Sequence, residues 1–208
     1  MKQLFFALLV VAYFLLPSCQ HPDIITPTEP DPIDTSHMIS CEDTIEINLP
    51  GSMEHGFFKA VKTCWDWKAS GYAQWPGPPS NHLNVSGNTY FPYILTNGDT
   101  VLLFAEALYF IVPKKLGTFP LVSPPGLHSD KATFGFSYIN VDVSIADWLV
   151  DTSFLDNEIK ITELNLANKR VKGIFNVHLK IDTTMTGFEH YPSKLFFHEG
   201  EFDLEIVE

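Results

Sequence analysis

Arginine is almost missing from this chain. Arg170 is the only one among 208 residues, so no cluster of guanidinium groups can be assembled to clamp phosphates. Basic charge is scarce altogether: 13 Lys plus Arg stand against 25 Asp plus Glu, a net charge of −12. That balance opposes nucleic acid as a partner and favours solubility. Cysteine occurs three times, too few for a dense disulfide framework. The longest apolar run, Leu4 to Leu16, has 13 residues, short of the ~20 that a membrane-spanning helix needs. Nucleotide and hydrolase signatures are missing too, since the chain has no G-x-x-x-x-G-K, no G-x-G-x-x-G and no G-x-S-x-G. None of the eight histidines stands in H-E-x-x-H or another compact ligand spacing. Neither a metal nor a cofactor is expected, and no nucleophile and base pair is visible, so the reading leans away from an enzyme.

What is present starts at the N-terminus. Lys2 supplies a positive charge, the 13-residue apolar run follows, and Leu16-Pro17-Ser18-Cys19 closes it. The length suits a signal-peptide core. The closing tetrapeptide resembles the bacterial lipobox, in which an aliphatic residue stands three before the cysteine and a small one just before it. Residues 1–18 are therefore expected to be a signal peptide, and Cys19 the lipidated first residue of the mature chain. Two or three acyl chains, palmitate among them, hold such a protein on a membrane. Removing residues 1–18 takes away Lys2 and no acid, which leaves 12 basic against 25 acidic residues and a charge of −13. In an exported chain the remaining cysteines, Cys41 and Cys64, either form a disulfide, worth about 3 kcal/mol in the chain-entropy model, or stay as buried thiols.

Residues 20–40 carry four prolines and several acids with no apolar period, the composition of an extended tether. The domain assignment is 1–18 signal peptide, 19–41 lipidated cysteine and tether, and 42–208 a single β domain. Phe202, Leu204 and Ile206 alternate with Glu201, Asp203 and Glu205, and Phe175, Val177, Leu179 and Ile181 with Asn176, His178 and Lys180. Both patterns predict half-buried strands. Ile159 and Ile161 share one phase and Leu164 and Leu166 the other, which predicts a bulge near Thr162 or Glu163. Val101 to Val112 is apolar in both phases apart from Glu106, so a central strand covered on both faces is expected, ended by Pro113. Residues 57–69 have helical spacing, and a short helix is also expected near Ala146 to Thr152. The fold class is all-β, an antiparallel sandwich or flattened open barrel with at most one or two short helices.

Four spaced patterns bear on residues 57–69 and beyond. Phe58-Lys59-Ala60 precedes Trp67-Lys68-Ala69; Gly117-Thr118-Phe119-Pro120-Leu121 follows; then come Ile159-x-Ile161-Thr162-x-Leu164-Asn165 with Asn168, Val171, Gly173 and Phe175; Gly200-Glu201-Phe202 is last. Together they resemble a family of uncharacterised Bacteroidota lipoproteins. The resemblance implies that 57–69 is a hairpin rather than a helix, and it implies a β-rich fold and an envelope address without a known activity.

Glu106, among Phe104, Ala105, Ala107 and Leu108, must be paired or have a raised pKa if buried. The favoured reading puts it at a sheet rim, bonded to a lysine or the backbone. His178 and His198 are placed opposite each other across the last hairpin as polar surface. Gly173 is placed at a bulge or crowded backbone contact. Asp43-Thr44-Ile45, Asp99-Thr100-Val101 and Asp182-Thr183-Thr184 resemble a short O-glycosylation acceptor motif. In the loop 74–82, Trp75 is either a stacking platform for sugar, helped by Asn81 and His82, or a plug on the open end of the core, which is the favoured alternative. Gln20-His21-Pro22-Asp23 lacks the acidic run of a surface-export signal, so a periplasm-facing outer-membrane location is expected. Partners are then the membrane, through the anchor, and either a glycan or a small lipophilic ligand held as in a calycin-like carrier.

Overall fold

The computed structural model of the protein describes residues 49–124, 129–140, 143–185 and 187–207. The signal peptide, Cys19, Cys41 and the tether lie outside the described residues. Eleven strands hold 68% of the described residues: β1 Leu49–Pro50, β2 Gly56–Lys62, β3 Trp65–Gln74, β4 His82–Ile94, β5 Thr100–Pro113, β6 Gly117–Val122, β7 Ala132–Asn140, β8 Val143–Val150, β9 Glu158–Asn165, β10 Arg170–Ile181 and β11 Lys194–Val207. A single 3-10 turn, Phe188–His190, precedes β11.

The strands form one mixed sheet rolled into a flattened, open barrel. Antiparallel pairing leads from β3 through β4, β5 and β7 to β8, and from β10 through β11 and β2 back to β3. The roll is weakest between β8 and β10, which meet over three residue pairs, Trp148 to Val150 against Leu179 to Ile181. Over Arg170 to Asn176, β10 instead pairs with β9, and β9 with β6, so the sheet splays there. Two short parallel contacts, β3 with β11 and β6 with β7, are the departures from a wholly antiparallel sheet.

The alternating phases bury one face of each strand. Phe175, Val177, Leu179 and Ile181 of β10 and Phe202, Leu204 and Ile206 of β11 all point into the core, as their spacing requires. Residues 57–69 form the β2–β3 hairpin, with Phe58, Ala60, Trp67 and Ala69 inside. Its turn is Thr63-Cys64, and Thr63 takes the positive φ of 58° that a glycine would adopt more readily. The helical spacing of this segment is coincidental, because cross-strand partners satisfy the backbone instead.

Three expectations are corrected. Residues 146–150 are the end of β8 rather than a helix, since Ala146, Trp148 and Val150 alternate inward against β7 and β10; Ser144, which looks like a cap, instead donates to the Asp147 carboxylate at 2.5 Å. β5 is not covered on both faces: Glu106, Leu108, Phe110 and Val112 are buried, whereas the alternate Ala107, Tyr109 and Ile111 are only partly so, and Thr100, Leu102 and Phe104 are exposed. Its partner β7 begins pairing at Glu106, so among the described residues Thr100 to Ala105 have β4 alone beside them. Finally, His178 pairs with Phe196 and not with His198.

Gly173 sits where the β9–β10 register shifts, with Thr162 as the extra residue. An added Cβ would stand 2.4 Å from Phe202 Cζ and 2.5 Å from the Lys160 carbonyl oxygen. Neither neighbour can withdraw, one being a core ring and the other backbone. Gly173→Val is expected to cost about 1–3 kcal/mol by overpacking, read as a lowered Tm, and an unchanged Tm would refute the account.

Candidate functional site at one end of the barrel

The β2–β3 and β4–β5 turns, the ends of β7 and β10 and the starts of β8 and β11 gather at one end of the roll. Just inside this end, the inward phase of four strands delivers polar groups into an otherwise apolar core. Lys62 is the last residue of β2, Thr89 lies on β4, Glu106 on β5 and Tyr138 on β7, while Trp67 of β3 completes the ring. Glu106 is 1% exposed. One carboxylate oxygen accepts from Lys62 Nζ; the other accepts from Trp67 Nε1 at 2.6 Å and Thr89 Oγ1 at 3.1 Å. Lys62 Nζ also donates to the Tyr138 hydroxyl at 3.2 Å and lies over the Phe136 and Tyr138 rings. Glu106 is thus paired with a lysine, as expected, but in the interior rather than at a rim.

Aromatic rings cap this cluster. Tyr138, Trp148 and Tyr191 meet edge to face at 4.8 to 6.1 Å, and Trp148 Nε1 donates to the Pro192 carbonyl at 3.0 Å. Both carboxylate oxygens and the ammonium are engaged by one another and by fixed donors. A network satisfied in this way holds the sheet together; it presents no idle acid or base to a substrate.

Beyond Thr89 and Glu106 the β4–β5 hairpin leaves the roll as an arm that, past the Leu49–Tyr90 pair, is two-stranded among the described residues. Its tip is a tight turn: Leu95 N donates to the Asp99 carbonyl, Gly98 N donates back to Leu95, and the Asn97 and Asp99 side chains bond to each other at 2.7 Å. Gly98 supplies the φ of 90° this turn requires. Cross-strand pairs put Tyr90 with Phe104 and Pro92 with Leu102 on one face, Phe91 with Leu103 and Tyr93 with Val101 on the other. Ile94 is 70% exposed, Tyr93 51% and Leu102 50%.

Trp75 lies at the opposite end. It is half-buried against the core, its Nε1 donates to the Ser80 carbonyl at 3.0 Å, and Lys114 Nζ stands 3.5 Å from its ring centroid. Asn81 is exposed and its carbonyl accepts from Lys114 N; His82 begins β4, and its N–H donates to Ser80 Oγ. The three residues do share a loop, but the indole has the core on one side and an ammonium over its ring. This is the geometry of a plug.

On the outer surface, Phe154, His178, Phe196 and His198 form a ladder of rings, with His178 Nε2 beside Asp156 at 3.2 Å. Cys64 is disulfide-bonded, and the other two cysteines lie outside the described residues. A shallow cleft of about 310 Å³ opens over β5, β7 and β8 beside Tyr109, Ser137, Asp147 and Asp182. Burial pushes the Tyr109 hydroxyl above its ordinary 10.0, and repulsion from Asp147 adds to the shift. The neutral phenol therefore contributes stability that is present below about pH 10 and lost as pH rises through the raised value. Ultraviolet titration should find Tyr109 ionising late, and Asp147→Asn should bring it part of the way back; an ordinary titration in the wild type would contradict this placement.

The Trp75 loop, the arm and the buried cluster were not equally visible beforehand. Glu106 stood out as a charge in an apolar run, whereas Lys62 gave no signal, because its partner is 44 residues away. Compared with known proteins, the chain matches no family model, no curated protein and no solved structure, so its functional reading rests on its own residues.

Proposed function

We propose that the chain is an envelope lipoprotein, acylated at Cys19 and held on the periplasmic face of an outer membrane, whose β domain is a non-enzymatic binding or structural module. The observation that carries this reading is the short apolar run ending in Leu16-Pro17-Ser18-Cys19 behind a lysine. The non-catalytic part is supported by the buried polar groups around Glu106, which engage one another. A calycin-like carrier would need an open centre, but there the Phe58 and Phe110 rings lie 6.4 Å apart and each is within 6.5 Å of both Phe175 and Phe202. The glycan reading for Trp75, Asn81 and His82 is weakened by the Lys114 ammonium over the indole.

Intact mass spectrometry of the protein extracted from its own membranes tests the anchor. The expected species begins at Cys19 and carries the added mass of two or three acyl chains. A mature chain that begins elsewhere, or carries no lipid, would end the proposal.

A further inference from the structure

We propose that the β4–β5 arm is a membrane-contacting element, seated in the headgroup and upper acyl region of the bilayer to which the chain is anchored. This rests on the lipoprotein reading of Cys19. Three observations on the arm point the same way. The first is that both of its faces are apolar and each presents exposed side chains: Leu102 and Ile94 on one side and Tyr93 on the other are each at least half exposed, while Phe91, Val101 and Leu103 are partly buried. A two-stranded hairpin of this kind is marginal in water by itself, so an apolar surrounding stabilises it. A contiguous apolar surface of both faces marks an interaction site rather than ordinary scatter.

The second is charge. From Ala69 to Pro113 the sequence contains no lysine or arginine, and its two acids are Asp99 at the tip turn and the buried Glu106. The arm therefore carries one charge in a chain whose net charge is −12. An acidic protein approaching a lipid surface is repelled least where its own charge is absent.

The third is where the chain enters. β1 runs along the base of the arm, with Leu49 opposite Tyr90 and Pro50 opposite Thr89. The 29 residues between Cys19 and Leu49 thus join the domain beside the arm and not at the Trp75 end. Fully extended, a segment of that length reaches about 100 Å at most, enough for the arm to meet the bilayer in which the anchor sits. Five residue steps separate Tyr90 from Leu95, about 17 Å at the rise of a strand. That is too short to cross a bilayer, which takes about 9–11 residues per strand, and long enough for the outer part of the arm to reach the roughly 5–10 Å depth at which interfacial elements lie. Tyr90, Phe91, Tyr93 and Phe104 are the aromatic types that settle at that boundary.

The test uses the acylated protein reconstituted in phosphatidylcholine vesicles, with tryptophan placed at Leu102→Trp on the arm or Asn81→Trp at the opposite end, each measured against the wild-type emission. The added Leu102→Trp emission is expected to be blue-shifted, to be quenched by lipid brominated along the acyl chain, and to escape aqueous acrylamide. Asn81→Trp should show the reverse. Ile94→Trp serves as a second reporter on the same face if the first variant melts early. Quenching of both arm reporters by acrylamide as strongly as Asn81→Trp, with the protein still floating with the vesicles, overturns the arm contact and leaves the anchor standing. Failure of the wild type to float overturns the anchor and this proposal with it. Arm reporters shielded from both quenchers, with cross-linked dimers on the same vesicles, show that a second copy covers the arm, which also overturns it.

Discussion

Glu106→Ala is expected to lower stability by about 3–5 kcal/mol, because it removes the buried carboxylate with which Lys62 pairs inside the barrel. For a domain of this size that is a fall in Tm of roughly 6–20 °C. The loss reaches beyond the ion pair. Trp67 Nε1 and Thr89 Oγ1 also donate to this carboxylate, and each stranded donor costs about 1–3 kcal/mol. A double replacement, Lys62→Met with Glu106→Leu, removes both charges and should recover part of the loss, since a well-packed apolar pair can stand in for a buried ion pair. It should not return to wild type while Trp67 and Thr89 lack an acceptor. Thermal unfolding of the three proteins decides the matter: a Glu106→Ala protein melting within about a degree of wild type would mean that the cluster stabilises nothing.

Phe58→Ala is expected to cost about 3–5 kcal/mol in denaturant unfolding. The ring is fully buried and meets Phe202 at 5.5 Å, Phe175 at 6.3 Å and Phe110 at 6.4 Å. It also lies flat on two strand glycines, so that a Cβ at Gly87 would come within 2.7 Å of Phe58 Cδ2 with no other atom as close. Those glycines have no side chains with which to refill the space, which is why the cavity term should be near its full size. Gly87→Ala should be destabilising in the wild type and much less so once Phe58 is alanine. The coupling between the two changes should exceed about 0.5 kcal/mol, the lower end for residues in contact. Additive effects would show that the ring and the glycine do not constrain each other.

The features legible in the sequence were those with a local physical cause. Alternation in 175–181 and 202–206 marks which side chains face inward, because a strand repeats every two residues whatever lies beside it. The phase change between Ile161 and Leu164 located the bulge near Thr162 or Glu163, where the register leaves Thr162 as the extra residue, and Gly173 stood out as a glycine among β-formers. Residues 146–150 misled because Ser144, Ala146, Asp147 and Trp148 fit one helical turn as well as a strand end. What settles them as strand is the pair of neighbours β7 and β10, which no window of that length contains.

By itself, then, the sequence determined the all-β class, the inward and outward phase of the main strands, the bulge and the crowded glycine, since each follows from backbone geometry within a few residues. Tertiary structure alone decided that Lys62 reaches Glu106, that Lys114 covers Trp75, and that the arm emerges uncovered. Those outcomes depend on which strands become neighbours and where each pairing stops. That choice is made by the burial of the whole core, in which residues far apart along the chain compete for the same small interior.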